Sequence, residues 1–98
     1  MILITRHNAT IKLFYDLKII DSNTEIIDHI NDENIEKIIG KNVIGILPFD
    51  LAAKCNTLLT PVWDIPLDAR GSEWSYEDTK KYFKGMKKYK VIEIEEII

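Results

Sequence analysis

The sequence is short of the residues on which several functions depend. A single cysteine, Cys55, among 98 residues leaves no partner for an internal disulfide, and no Cys/His spacing points to zinc. The apolar runs fall far short of the ~20 residues needed to cross a bilayer, and no charged-then-apolar leader opens the chain, so a cytoplasmic protein is expected. Thirteen Lys and Arg against sixteen Asp and Glu leave a net charge of −3. That balance argues against a protein that coats long nucleic acid, which needs a broad positive surface. It leaves room for a small anion in a local positive pocket. Four glycines and three prolines, with 46% hydrophobic and 30% charged residues, argue against disorder. Residues 1–98 are enough chain for one domain and one core, and too few for two.

Arginine and histidine are scarce too. The chain has two of each, Arg6 and Arg70, His7 and His29. Lysine is used wherever a plain positive charge suffices, so an arginine here points to a need for the planar fork that lysine lacks. One of each pair falls in a single stretch, Thr5-Arg6-His7-Asn8. It ends an apolar run and precedes a helical pattern. A polar turn between strand and helix lies at the carboxyl end of the strand, where helix N-terminal N–H groups face the ligand crevice of open α/β sheets.

The elements follow from period and punctuation. Ile2 to Thr5 reads as a buried strand, and a helix from Ala9 carries Ile11, Phe14, Tyr15 and Leu17 to Ile19 on one face, with Asn8 as N-cap. Asp21-Ser22-Asn23 is turn chemistry, Glu25 to Ile30 a second strand, and Asn31 to Ile39 a loop with at most a short helix. Asn42 to Leu47 is a third strand ending at Pro48, which suits the first turn of a helix from Phe49 to about Asn56. Leu58 to Ile65 is a fourth strand, Leu67 to Trp74 a long loop, and Ser75 opens a helix running to about Tyr89, with Asp78 completing a near capping box. Val91 to Ile98 alternates apolar and acidic residues as an edge strand does. Strands alternating with helices predict a three-layer α/β domain, Rossmann-like, with a mainly parallel five-stranded sheet.

Three polar turns, Thr5 to Asn8, Gly45 to Asp50 and Asp64 to Gly71, then share one end of the sheet. Each residue also has an ordinary reading. Arg6 could cover the sheet edge or bridge to Asp68, His7 could sit on the surface, and Arg70-Gly71 could be a turn in which Gly71 supplies a positive φ. Asp64 could orient a neighbour. His29, inside a strand of mixed pattern, reads as structural, and the two tryptophans as core or interface. The Lys80 to Lys90 run reads as a solvated helix face, and Cys55 as a small apolar filler. No Walker loop, GxGxxG or metal-ligand cluster is visible, so no cofactor and no metal are expected. Residue chemistry thus reaches an anion-binding crevice holding Arg6, His7 and Arg70, without naming the anion.

Several motifs together are more specific. Ile4-Thr5-Arg6-His7, Val43 to Pro48 with Leu51-Ala52-Ala53, Trp63-Asp64-Ile65-Pro66, Arg70-Gly71 and Ser75 to Asp78 span nearly the whole chain. In order and spacing they resemble a small CRISPR-associated family of type III systems, the Csx-type family numbered sixteen, whose members are ring nucleases for cyclic oligoadenylate. The chain departs from that pattern near Ala9, Ile46 and Asp50. The resemblance implies a compact domain like those that sense cyclic oligoadenylates, working as a homodimer with the ring between the subunits, a ring of four adenylates being the one that suits a twofold interface. It implies metal-independent attack of a ribose 2′-hydroxyl on the adjacent phosphate, giving linear products with 2′,3′-cyclic phosphate ends. Arg6 and Arg70 then bind phosphate, and His7 transfers a proton with Arg6 stabilising charge beside it. Thr5, Asn8, Gly45, Pro48, Asp64 and Gly71 line the ring. A protein of the same ancestry that sequesters the ring without cutting it is the alternative.

Overall fold

The computed structural model describes residues 1–98. A five-stranded sheet runs through it, built from β1 (Ile2–Ile4), β2 (Glu25–Ile27), β3 (Asn42–Ile44), β4 (Thr57–Trp63) and β5 (Phe83–Tyr89) in the order β2-β1-β3-β4-β5. The first four strands are parallel and β5 is antiparallel to β4. Three α-helices accompany it: α1 (Asn8–Asp16), α2 (Phe49–Ala52) and α3 (Tyr76–Tyr82). Short 3-10 turns occupy Ile35–Ile38 and Leu67–Ala69.

Strand alternation explains the three layers. Ile2, Val43 and Leu58 point to one face, where Ile27, Ile38, Ala52 and Cys55 complete a buried cluster under α2 and the first 3-10 turn. Leu3 and Ile44 point to the other face and meet Leu13 and Phe14 of α1, with Ile20. The continuous apolar runs of β1 and β3 are therefore what a strand covered on both faces requires. Phe14 is wholly buried and packs against Trp63 and Phe83 at centroid distances of 6.5 and 5.5 Å. Each such side chain contributes roughly 1.5–3 kcal/mol by burial. The predicted three-layer fold with a mainly parallel sheet is the observed one.

The C-terminal third differs from its sequence reading. The expected helix from Ser75 to Tyr89 stops at Tyr82, and Phe83–Tyr89 forms the fifth strand instead. Phe83 and Met86, three apart, look helical in sequence. In the sheet Trp63 pairs with Phe83 and Val62 with Gly85, so Lys84 is an extra, unpaired residue. That bulge reverses the side-chain parity and brings Phe83 and Met86 to one face of a strand. Gly85, at φ +133°, takes a backbone conformation open to glycine alone. The expected strand from Val91 to Ile98 pairs with nothing: Val91 packs on the core, and Ile94 is 95% exposed.

Smaller corrections share one cause. The second strand ends at Ile27 rather than Ile30, the third at Ile44 rather than Leu47, and α2 at Ala52 rather than Asn56. The fourth runs Thr57–Trp63, and α1 ends at Asp16. Apolar residues continue past each boundary because they line a cleft, a turn or the core, and hydropathy does not separate these from ladder positions. The helix cap of α1 is His7, with Asn8 as its first residue and no side-chain capping bond. Ser75 caps α3 as expected, its Oγ accepting the Asp78 N–H at 3.1 Å.

Candidate functional site

The strand order places the site. From β1 the chain crosses through α1 to β2 on one side, whereas β3 lies on the other side of β1. The carboxyl ends of β1 and β3 therefore diverge into a crevice, the topological switch point at which open α/β sheets bind ligands. A cleft of about 550 Å³ opens there. Its walls come from Leu3 to His7 after β1, Ile44 to Pro48 after β3, Asp28 to Ile30 after β2, and Trp63 with Trp74.

Local chemistry shapes each wall. The Thr5 hydroxyl accepts the His7 N–H at 3.2 Å, a turn that bends the chain out of β1 and aims the next residues over the cleft. Arg6 and His7 are both exposed. The chain's two ion pairs join Lys12 to Asp16 and Lys37 to Glu25, so Arg6 has no carboxylate partner and does not bridge to Asp68. A guanidinium with five donors in a fixed fork stands free in the cleft. Gly45 is buried on its floor, where a Cβ would lie 3.3 Å from both the Cβ and the carbonyl oxygen of Ile4. Glycine is there because β1 and β3 approach so closely. Pro48 begins the turn into α2, whose Ala52 N–H bonds to the Pro48 carbonyl at 2.9 Å.

The far wall is aromatic. Trp63 and Trp74 meet edge to face at 5.5 Å, and Trp74 in turn meets Tyr82 at 5.2 Å. The Trp74 indole N–H donates to the Ala69 carbonyl at 3.0 Å, tying the loop that carries Arg70 to the cleft wall. Among the residues selected from sequence, Thr5, Arg6, His7, Gly45 and Pro48 converge on this cleft. Asn8 starts α1 behind it, while Asp64, Arg70 and Gly71 lie on the neighbouring loop outside its lining. The Asp64 N–H is taken by the Tyr82 carbonyl at 2.8 Å, and Gly71 has φ +79°, as a turn glycine does.

Sequence reasoning missed Asp28 and His29. The sequence pattern puts both in a strand, but β2 ends at Ile27, so they follow the carboxyl end of β2 and line the cleft. The signal was the same one that marked His7: a scarce residue type just beyond an apolar strand. No group of three or more His, Cys, Asp or Glu side chains is arranged to hold a metal ion, and no helix is long and apolar enough to cross a membrane.

A family model described as "Putative CRISPR-associated protein (Cas_VVA1548)" matches residues 2–92. The chain belongs to that family. No curated protein and no solved structure matches it. The match covers β1 through β5 and the whole cleft, leaving Met1 and residues 93–98 outside. The CRISPR-associated chain thus carries its polar residues at the position where its fold class binds ligands.

Proposed function

We propose that this CRISPR-associated protein is a ring nuclease that opens cyclic oligoadenylate, and cyclic tetraadenylate in particular, so ending type III antiviral signalling. The observation that carries the reading is the unpaired Arg6 guanidinium beside His7 at the β1/β3 switch point. Phosphate is the ligand class that a free planar fork at a strand end suits best. The aromatic wall of Trp63 and Trp74 offers faces on which adenine stacks.

Size favours a twofold arrangement. Clefts of ~300–1,000 Å³ bury a single drug-sized ligand. A ring of four nucleotides is larger than that, so one cleft of about 550 Å³ encloses part of it and a second subunit covers the rest. Ile46 in the cleft lining, Phe49 at the start of α2 and Leu67 on the loop after β4 are 70%, 83% and 80% exposed, apolar side chains that a second copy would cover. An isologous contact of this kind matches the symmetry of the ring.

In the reaction a ribose 2′-oxygen attacks the adjacent phosphorus, the P–O5′ bond breaks, and a 2′,3′-cyclic phosphate and a free 5′-hydroxyl result. Holding the hydroxyl in line with the leaving oxygen provides much of the acceleration. Arg6 stabilises the added charge on the phosphoryl oxygens, and His7 moves a proton. The deciding experiment incubates the protein with cyclic tetraadenylate in EDTA and resolves the products. Linear fragments ending in cyclic phosphate are expected. Tight binding with the ring intact indicates the sequestering alternative, and no binding removes both.

A further inference from the structure

We infer that His29 is the second proton-transferring group of this cleft, working opposite His7; the inference rests on the ring-nuclease reading above. Both histidines of the chain, each just past the carboxyl end of a different strand, line one cleft. Their placement follows from register. β1 and β2 are parallel neighbours with Ile4 opposite Ile27, and the Thr5 N–H extends that ladder to the Ile27 carbonyl at 3.0 Å. Adjacent strands stand about 4.8 Å apart. His7 is three residues past one member of that pair and His29 two past the other, so the two histidines follow neighbouring strand ends and both line the cleft.

The turn bearing His29 is held. Asn31 Oδ1 accepts the Glu33 and Asn34 N–H groups at 2.9 and 3.1 Å, and Asn34 Oδ1 accepts the Asn31 N–H at 2.8 Å. Asn34 Nδ2 then donates to the His29 carbonyl at 2.9 Å. The last of these bonds takes the His29 carbonyl, and the ring makes no hydrogen bond. Apart from the histidines, the charged groups lining the cleft are Arg6 and Asp28.

Transesterification needs two proton movements, one off the attacking 2′-hydroxyl and one onto the departing 5′-oxygen. A neutral imidazole takes the first proton as the 2′-oxygen–phosphorus bond forms. An imidazolium supplies the second as the P–O5′ bond breaks. The histidines leave the turnover with their protonation exchanged and re-equilibrate with water, so no other reactant is required. An imidazole can accept a proton or donate one, so one residue type serves both steps.

The test measures cleavage of cyclic tetraadenylate at saturating concentration across pH, with ring binding measured in parallel, for the parent protein, His29→Ala and His29→Gln. The parent is expected to give a bell-shaped profile. Each variant should bind the ring within a few-fold of the parent, cut at least ~100-fold more slowly and lose one limb of the bell. A probe ring bearing sulfur in place of the bridging 5′-oxygen needs little protonation to leave, so it should rescue whichever histidine variant has lost the acid. His29→Ala cutting at the parental rate with both limbs intact overturns the role of His29 alone. A parent that leaves the ring uncut overturns the ring-nuclease reading and this inference together.

Discussion

Arg6 illustrates how a residue's meaning depends on what it fails to touch. With no carboxylate paired to it, Arg6 keeps its donors for a ligand, whereas Arg70 lies outside the cleft lining. Arg6→Lys, which keeps the charge and removes the fork, is therefore expected to weaken ring binding about tenfold or more with the fold intact. Arg70→Lys should weaken it less. Titration of a labelled ring checks both, and equal losses would place Arg70 on the ligand as well. Cys55 gives a residue-scale prediction of another kind. Burial pushes its thiol above the ordinary value, and the nearby Lys90 charge opposes that less strongly. The stability this confers is fully present below the ordinary thiol value and is lost as pH rises toward the raised native value. Cys55→Ala should flatten that alkaline loss in denaturant titrations, and the native thiol should resist alkylation until the chain unfolds.

At the scale of elements, the close approach of β1 and β3 and the cap of α3 are separable. Gly45→Ala must push β3 from Ile4 by a few tenths of an ångström, because the new Cβ would meet backbone as well as side chain. A loss of about 1–3 kcal/mol is expected, the usual scale of overpacking, together with weaker ring binding as the cleft floor shifts. Ser75→Ala, outside the cleft lining, removes the bond to the Asp78 N–H and should cost about 1 kcal/mol without altering ring affinity. Denaturation midpoints read beside binding isotherms distinguish the two. β5 shows a different compromise. It covers β4, and Lys84, Lys87 and Lys88 along it discourage further strands from adding to the new edge.

Over the whole molecule, the radius of gyration is 14.3 Å against about 12.6 Å for a compact chain of this length. The excess belongs with the unpaired tail, whose residues past Val91 are all exposed. Ending the chain at Ile92 should leave the melting temperature within about 2 °C, since no buried side chain is lost; a larger fall would mean that the tail packs in solution. Exposed Phe49 makes the opposite prediction. Phe49→Glu lies outside the cleft lining and is 83% exposed, so it should leave the monomer folded. On the proposed twofold arrangement it should shift sedimentation from dimer to monomer and weaken ring binding along with it. A variant that sediments as the parent does would remove Phe49 from the proposed contact.

The sequence by itself determined the α/β class, the strand-turn position of Arg6 and His7, the proline start of α2 and the serine cap of α3. Each is a local decision, made by scarcity, period or capping chemistry within a few residues. Tertiary structure decided what depends on partners far along the chain. Phe83 and Met86 read as one helical face until β4 pairs with them and a bulge at Lys84 restores their common side. His29 read as structural because the end of β2 at Ile27 is set by pairing with β1, where Ile4 has its last ladder partner. The strand order 2-1-3 joins β1 and β3 across the length of α1 and β2, and with it creates the crevice. Hydropathy reports whether a side chain is buried; only the assembled sheet decides which strand end it stands beside.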